Sequence, residues 1–146
     1  MDLDPHVKGE NNMILTNGTL VAVADGDKLR LFRNKGHEPR IDLVEMPEPE
    51  LHLANTGSGG RHRSSAANPD DSRLREDDLA AAVAAYLNRE ALTDAFEHVV
   101  VIADPRTLGE LRRHFQAPLR AKLMGELAKD LAKHSAEAIA GTLAAA

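Results

Sequence analysis

Apolar residues first gather at Leu20-Val-Ala-Val-Ala24, an unbroken run followed by Asp25-Gly26 and then by the alternating Lys28-Leu-Arg-Leu-Phe-Arg33. An Asp-Gly pair between two such runs predicts a β-hairpin closed by a type I′ turn. The first strand is apolar on both faces, so it belongs at the centre of a sheet; the second alternates, so one face meets water or another polar surface. Asn34 to Arg40 predicts a second turn. Ile41 to Met46 predicts a third, shorter strand, ended by Pro47 and Pro49.

The period then changes. Leu79, Val83, Tyr86 and Leu87 share one face of a helix predicted over about Arg73 to Ala91, with Asp71 or Ser72 as its cap and Glu76, Asp77 and Asp78 in its first turns. Val99-Val-Val-Ile102 is short and β-branched, as a central parallel strand should be. Asp104-Pro105 opens a second helix, because Asp caps well and proline at the first helical position loses no hydrogen bond. Leu108, Leu111 and Phe115 form its buried face, and Pro118 is expected to end it. Residues 119–131 carry two periods at once. Leu119, Ala121, Leu123, Gly125 and Leu127 alternate, while Leu119, Leu123, Leu127 and Leu131 recur every fourth residue. Ser135 caps a last helix carrying Ile139 and Leu143.

Between strand and helix lies a long irregular stretch, about 47–72, rich in Gly, Ser, Asn, Pro and Arg. Loops of this length are usually functional or disordered. Within it, Thr56-Gly-Ser-Gly-Gly-Arg-His-Arg-Ser-Ser65 joins three glycines to three basic side chains. Gly59 and Gly60 let backbone approach a ligand closely, and Arg61, His62 and Arg63 supply donors suited to phosphate oxygens. These five residues are the candidate phosphate- or RNA-binding site. No Gly-Lys-Ser/Thr follows, so the loop is not a nucleotide-binding Walker motif.

The chain has 146 residues, the size of one domain, with 42% hydrophobic and only 3% aromatic residues. The core must therefore be aliphatic. There is no cysteine, which excludes disulfides, thiolate zinc sites and cysteine nucleophiles. A net charge of −5 argues against nucleic-acid binding by the whole surface. The first twelve residues are acidic and read as a disordered extension or a cloning remnant, leaving 13–146 as a single domain. No run approaches the roughly 20 apolar residues of a membrane span, and the composition fits a cytoplasmic protein.

Two further constellations bear on chemistry. Asp25 and Asp104 would both follow neighbouring central strands, and with Asp130 they could hold Mg²⁺ for a metal-dependent nuclease. Each also has a structural task, Asp25 in the turn and Asp104 as a cap, and strand direction need not bring Asp130 to the same point. The seven histidines include no His-x-x-x-His pair, and no serine sits in a Gly-x-Ser-x-Gly elbow. No metal or cofactor is expected.

Thr19-Leu-Val-Ala-Val-Ala-Asp-Gly-Asp-Lys-Leu-Arg-Leu-Phe-Arg33, Val99-Val-Val-Ile-Ala-Asp-Pro-Arg-Thr-Leu-Gly-Glu-Leu-Arg-Arg113 and Gly125-Glu-Leu-Ala-Lys-Asp-Leu-Ala-Lys-His134 together resemble the bacterial host attachment protein family, over essentially Met13 to the C-terminus. That family is linked by name to bacterial attachment to host cells. It is similar, more distantly, to the central domain of archaeal and eukaryotic class I release factors. There, a Gly-Gly-Gln loop between a hairpin and a long helix enters the peptidyl-transferase centre. Gly59-Gly60 matches that loop by its place in the chain, but Arg61 stands where the glutamine would be. A guanidinium lacks the amide's combined donor and acceptor. The resemblance therefore implies contact with ribosome or RNA more than peptide release, and a binding module more than an enzyme. A protein-interaction module linked indirectly to attachment is the other non-catalytic reading.

The resemblance favours a strand over about Ala121 to Leu127. The expected fold is then α/β. It has a single mixed five-stranded sheet, a three-strand antiparallel meander plus αβ units, in the order 3-2-1-4-5 of ribonuclease H-like and release-factor central domains.

Overall fold

The computed structural model describes residues 15–52 and 69–146, with 69–74 as backbone alone. Strands β1 (Leu20–Ala24), β2 (Leu29–Asn34) and β3 (Leu43–Glu45) are followed by α1 (Pro69–Leu92), β4 (Val99–Ala103), α2 (Pro105–His114), α3 (Ala117–Lys122), β5 (Leu123–Ala128) and α4 (Ala136–Ala145). The sheet order is β3-β2-β1-β4-β5. β1 pairs antiparallel with β2 and parallel with β4, and β4 pairs parallel with β5. This is the mixed five-stranded α/β sheet predicted from the sequence. All five residues of both β1 and β4 are buried, as strands covered on both faces require.

Each face of the sheet has its own aliphatic core. Leu87, Val83, Leu108, Leu111 and Leu119 pack with Ala22, Leu31, Val99 and Val101 on one face. Ile139 and Leu143 of α4 pack with Val21, Val23, Phe32, Val100 and Ile102 on the other. None of the helices among the described residues is long and apolar enough to cross a membrane.

Several local expectations shift. The β1–β2 turn is not type I′, because neither of its central residues, Gly26 and Asp27, adopts a positive φ. Asp25 N–H donates to the Lys28 carbonyl at 3.1 Å, but Lys28 N–H returns to the Asp25 carboxylate at 2.9 Å. The carboxylate also accepts from Asp27 N–H at 2.7 Å, so the side chain replaces the backbone bond that a type I′ turn would make.

α1 starts at Pro69, so Asp71 and Ser72 are helical and residues 69–72 leave the irregular stretch. Proline at the first helical position and acids in the first turn favour this earlier start. The helix ends in a Schellman motif, with Ala95 N–H bonded to the Glu90 carbonyl and Asp94 N–H to that of Ala91. Asp94 takes the left-handed conformation there, at φ 58°.

Pro118 does not end a helix. α2 stops at His114, and Pro118 lies in the first turn of α3. The two competing periods of residues 119–131 are both real, one after the other. Leu119 is buried in α3, and the strand starts at Leu123, two residues later than predicted. A bulge shifts the β4–β5 register between Val99 and Val100.

Candidate functional site

β1 and β4 end side by side, with Ala24 paired to Ala103 and Ala103 to Ala128. Asp25, Asp104 and Asp130 therefore all follow strands that finish on one edge of the sheet. Sharing an edge does not make them a cluster. Asp25 is committed to its turn, as above. Asp104 accepts a hydrogen bond from Thr107 N–H at 3.1 Å and caps α2 as expected. Among the described residues, no three His, Asp or Glu side chains come together in an arrangement that could hold a metal ion.

The Gly-Arg loop candidates Gly59, Gly60, Arg61, His62 and Arg63 lie outside the described residues. Both of the loop's attachments are described. Met46 and Leu51, beyond β3, pack against the first core. On the returning side, α1 is fixed to the same sheet edge that carries Asp25 and Asp104. Arg106 at the start of α2 donates to Glu76 at 2.9 Å and to Asp77 at 3.1 Å. From the other flank, Gly26 of the β1–β2 turn sits so close to α1 that a Cβ there would lie 2.9 Å from Glu76 Cγ. Pro69 is seven residues before Glu76, about 10 Å further along the helix at 1.5 Å per residue. The loop's returning end is therefore carried out beyond this edge by a braced helix. Sequence reading gave Glu76 and Asp77 only a dipole role and missed Arg106, which joins them from 29 and 30 residues away.

A cleft of about 240 Å³ opens at the opposite edge, lined among others by Thr16, Thr19, Arg33, Asp94 and His98. Its guanidinium is engaged with backbone. Arg33 donates to the Gly18 carbonyl at 3.1 Å and, at 3.4 Å, to that of Ala95. These bonds tie the entry to β1 to the segment leading into β4. Thr19 is buried and bonded to the Thr16 hydroxyl at 2.9 Å. No sequence pattern marked these residues, because their partners are set by the parallel β1–β4 pairing.

The architecture is thus a mixed sheet in which the connection from β3 to a braced helix carries a sequence rich in glycine and arginine. A comparison with curated proteins returns no match. The model of the bacterial archaeo-eukaryotic release factor family 12 matches residues 18–143, and the chain belongs to that family.

Proposed function

We propose that the protein is a binding module that meets the ribosome or RNA through its Gly-Arg loop. The observation that carries this reading is the place of Gly59-Gly60-Arg61 between β3 and α1 in a chain of the release-factor family. The family match supports a translation-related partner. It does not carry the host-attachment name, and attachment to host cells is at most an indirect consequence of such binding. Arg61 and Arg63 offer planar, permanently charged donors that match phosphate oxygens in pairs, and the neighbouring glycines admit close backbone approach. Arg61 in place of glutamine favours contact over catalysed peptide release. The nuclease reading has no comparable support, since Asp25 and Asp104 spend carboxylate oxygens on a turn and a helix cap.

Co-sedimentation with purified ribosomes across a salt series tests the proposal. Binding should weaken as salt rises, because counterions released on contact must be recaptured. The double variant Arg61→Ala/Arg63→Ala should bind less tightly and with a salt slope shallower by about 0.7–0.9 per lost contact. Equal binding by the double variant would leave the protein-interaction reading as the better one.

A further inference from the structure

We propose a second RNA-contacting surface, formed by Arg112, Arg113 and Arg120 with His114 beside them. It lies where α2 ends against α3, a helix length away from the braced start of α1. The inference rests on the reading that the protein meets RNA, but not on the Gly-Arg loop.

Residues 105–122 hold five Lys and Arg against a single acid, Glu110, in a chain whose net charge is −5. Arg106 is neutralised by Glu76 and Asp77, and Lys122 by Asp94. Arg112 and Arg113, both in the last turn of α2, pair with Glu126 and Glu110 respectively. Arg120 reaches the Arg112 carbonyl at 3.5 Å, which sets its guanidinium beside the last turn of α2.

Exposure separates the cations from their acids. The side chains of Arg112 and Arg113 are 56% and 73% exposed, whereas those of Glu126 and Glu110 are 21% and 20% exposed. The carboxylates are recessed and the guanidiniums stand outside them. Arg112 Nε donates to Glu126 at 2.7 Å, which orients its planar head. Glu110 is shared between Arg113 at 3.5 Å and His114 at 3.4 Å, long surface contacts that contribute little energy.

Cations in a last helical turn do complement the helix dipole. That role does not call for a second helix to bring another arginine alongside. Exposed guanidiniums grouped about the junction of α2 and α3 are suited to contact with phosphates.

Fluorescence anisotropy with a labelled RNA hairpin, beside ribosome co-sedimentation, tests the surface. Arg113→Ala/Arg120→Ala removes two guanidiniums from exposed positions, so its melting temperature should fall by no more than a few degrees. Between about 50 and 200 mM salt the wild type should lose roughly tenfold more affinity than this variant, the difference expected for two phosphate contacts. Arg113→Lys/Arg120→Lys should keep most of the slope, because the term is electrostatic.

Unchanged affinity and slope in the alanine pair would overturn the proposal and leave these arginines as helix-end complements. Binding of the wild type to phosphatidylglycerol vesicles but not to RNA would overturn it in favour of a membrane surface. Loss in the Arg113/Arg120 pair with none in Arg61→Ala/Arg63→Ala would uphold this surface and reject the loop reading. The converse would reject this surface alone. A wild type that binds neither RNA nor ribosomes at low salt would reject both.

Discussion

Asn34 and Asp104 show how differently two polar residues can be written into a chain. Asn34 is fully buried, and its side chain makes four hydrogen bonds. Its amide donates to the Leu15 and Thr16 carbonyls at 3.2 Å, and its oxygen accepts from Gly36 N–H at 3.0 Å and Asp42 N–H at 2.9 Å. Removing it strands backbone groups where water cannot replace it, at about 1–3 kcal/mol for each group left unsatisfied. Asn34→Ala should therefore cost about 3 kcal/mol or more in urea denaturation. Asp104→Ala should cost about 0.5–2 kcal/mol, as for other lost caps. A cost for Asn34→Ala no greater than that for Asp104→Ala would refute the assignment of Asn34 as the organiser of this corner. Asp104 was legible because its cap is local, with Pro105 after it and Thr107 three residues on. Asn34 read only as a turn residue, because its amide partners are 18 and 19 residues away and on no shared period.

At the scale of elements, the sequence announced what depends on near neighbours. The antiparallel β1–β2 pairing, the buried β4, the Asp104 cap of α2 and the Ser135 cap of α4 stand as read, although the β1–β2 turn type does not. The start of α1 did not, because Asp71 and Ser72 are good caps in isolation and Pro69 outranks them only by its position. The switch from α3 to β5 was invisible for a related reason. Small or apolar residues at alternate positions and leucines at every fourth coincide across 119–127, so periodicity could not divide them.

Glycines show the same dependence on surroundings. A Cβ on Gly36 would lie 2.6 Å from the Arg40 carbonyl oxygen, a backbone atom in the tight turn that Asn34 organises. Gly109 in α2 and Gly141 in α4 have open space around the same position. Gly36→Ala should destabilise by about 1–3 kcal/mol, as overpacking does. Gly109→Ala and Gly141→Ala should each stabilise by about 0.4–1 kcal/mol, because alanine loses less backbone freedom on folding. Thermal unfolding of the three variants checks the signs, and a neutral Gly36→Ala would contradict the close approach.

For the whole molecule, charge was legible only as an average. From His98 to the C-terminus seven basic residues face five acidic ones, a balance that conceals the exposed Arg112, Arg113 and Arg120 about the α2–α3 junction. Folding sorts them by exposure, which a tally cannot do. The Gly-Arg loop was the reverse case, conspicuous in sequence through its glycines.

If both surfaces serve one partner, the body between them must behave as one unit. Its construction favours this, since β1 and β4 alternate their side chains between two cores. Ala22 and Val101 point to the helical layer of α1, α2 and α3, and Val21, Val23, Val100 and Ile102 to α4. Neither core can open without disturbing strands that the other needs. Leu87→Ala on one face and Ile139→Ala on the other should each cost about 2–5 kcal/mol, the usual range for a buried aliphatic truncation. Both should lower a single shared transition, with far-ultraviolet circular dichroism and Tyr86 fluorescence coinciding. Tyr86 is half-buried against the first core, so its signal reports that face directly. An Ile139→Ala variant whose dichroism melts in two steps, with Tyr86 following only the later one, would show that the α4 face unfolds alone and that the sheet does not couple the two cores.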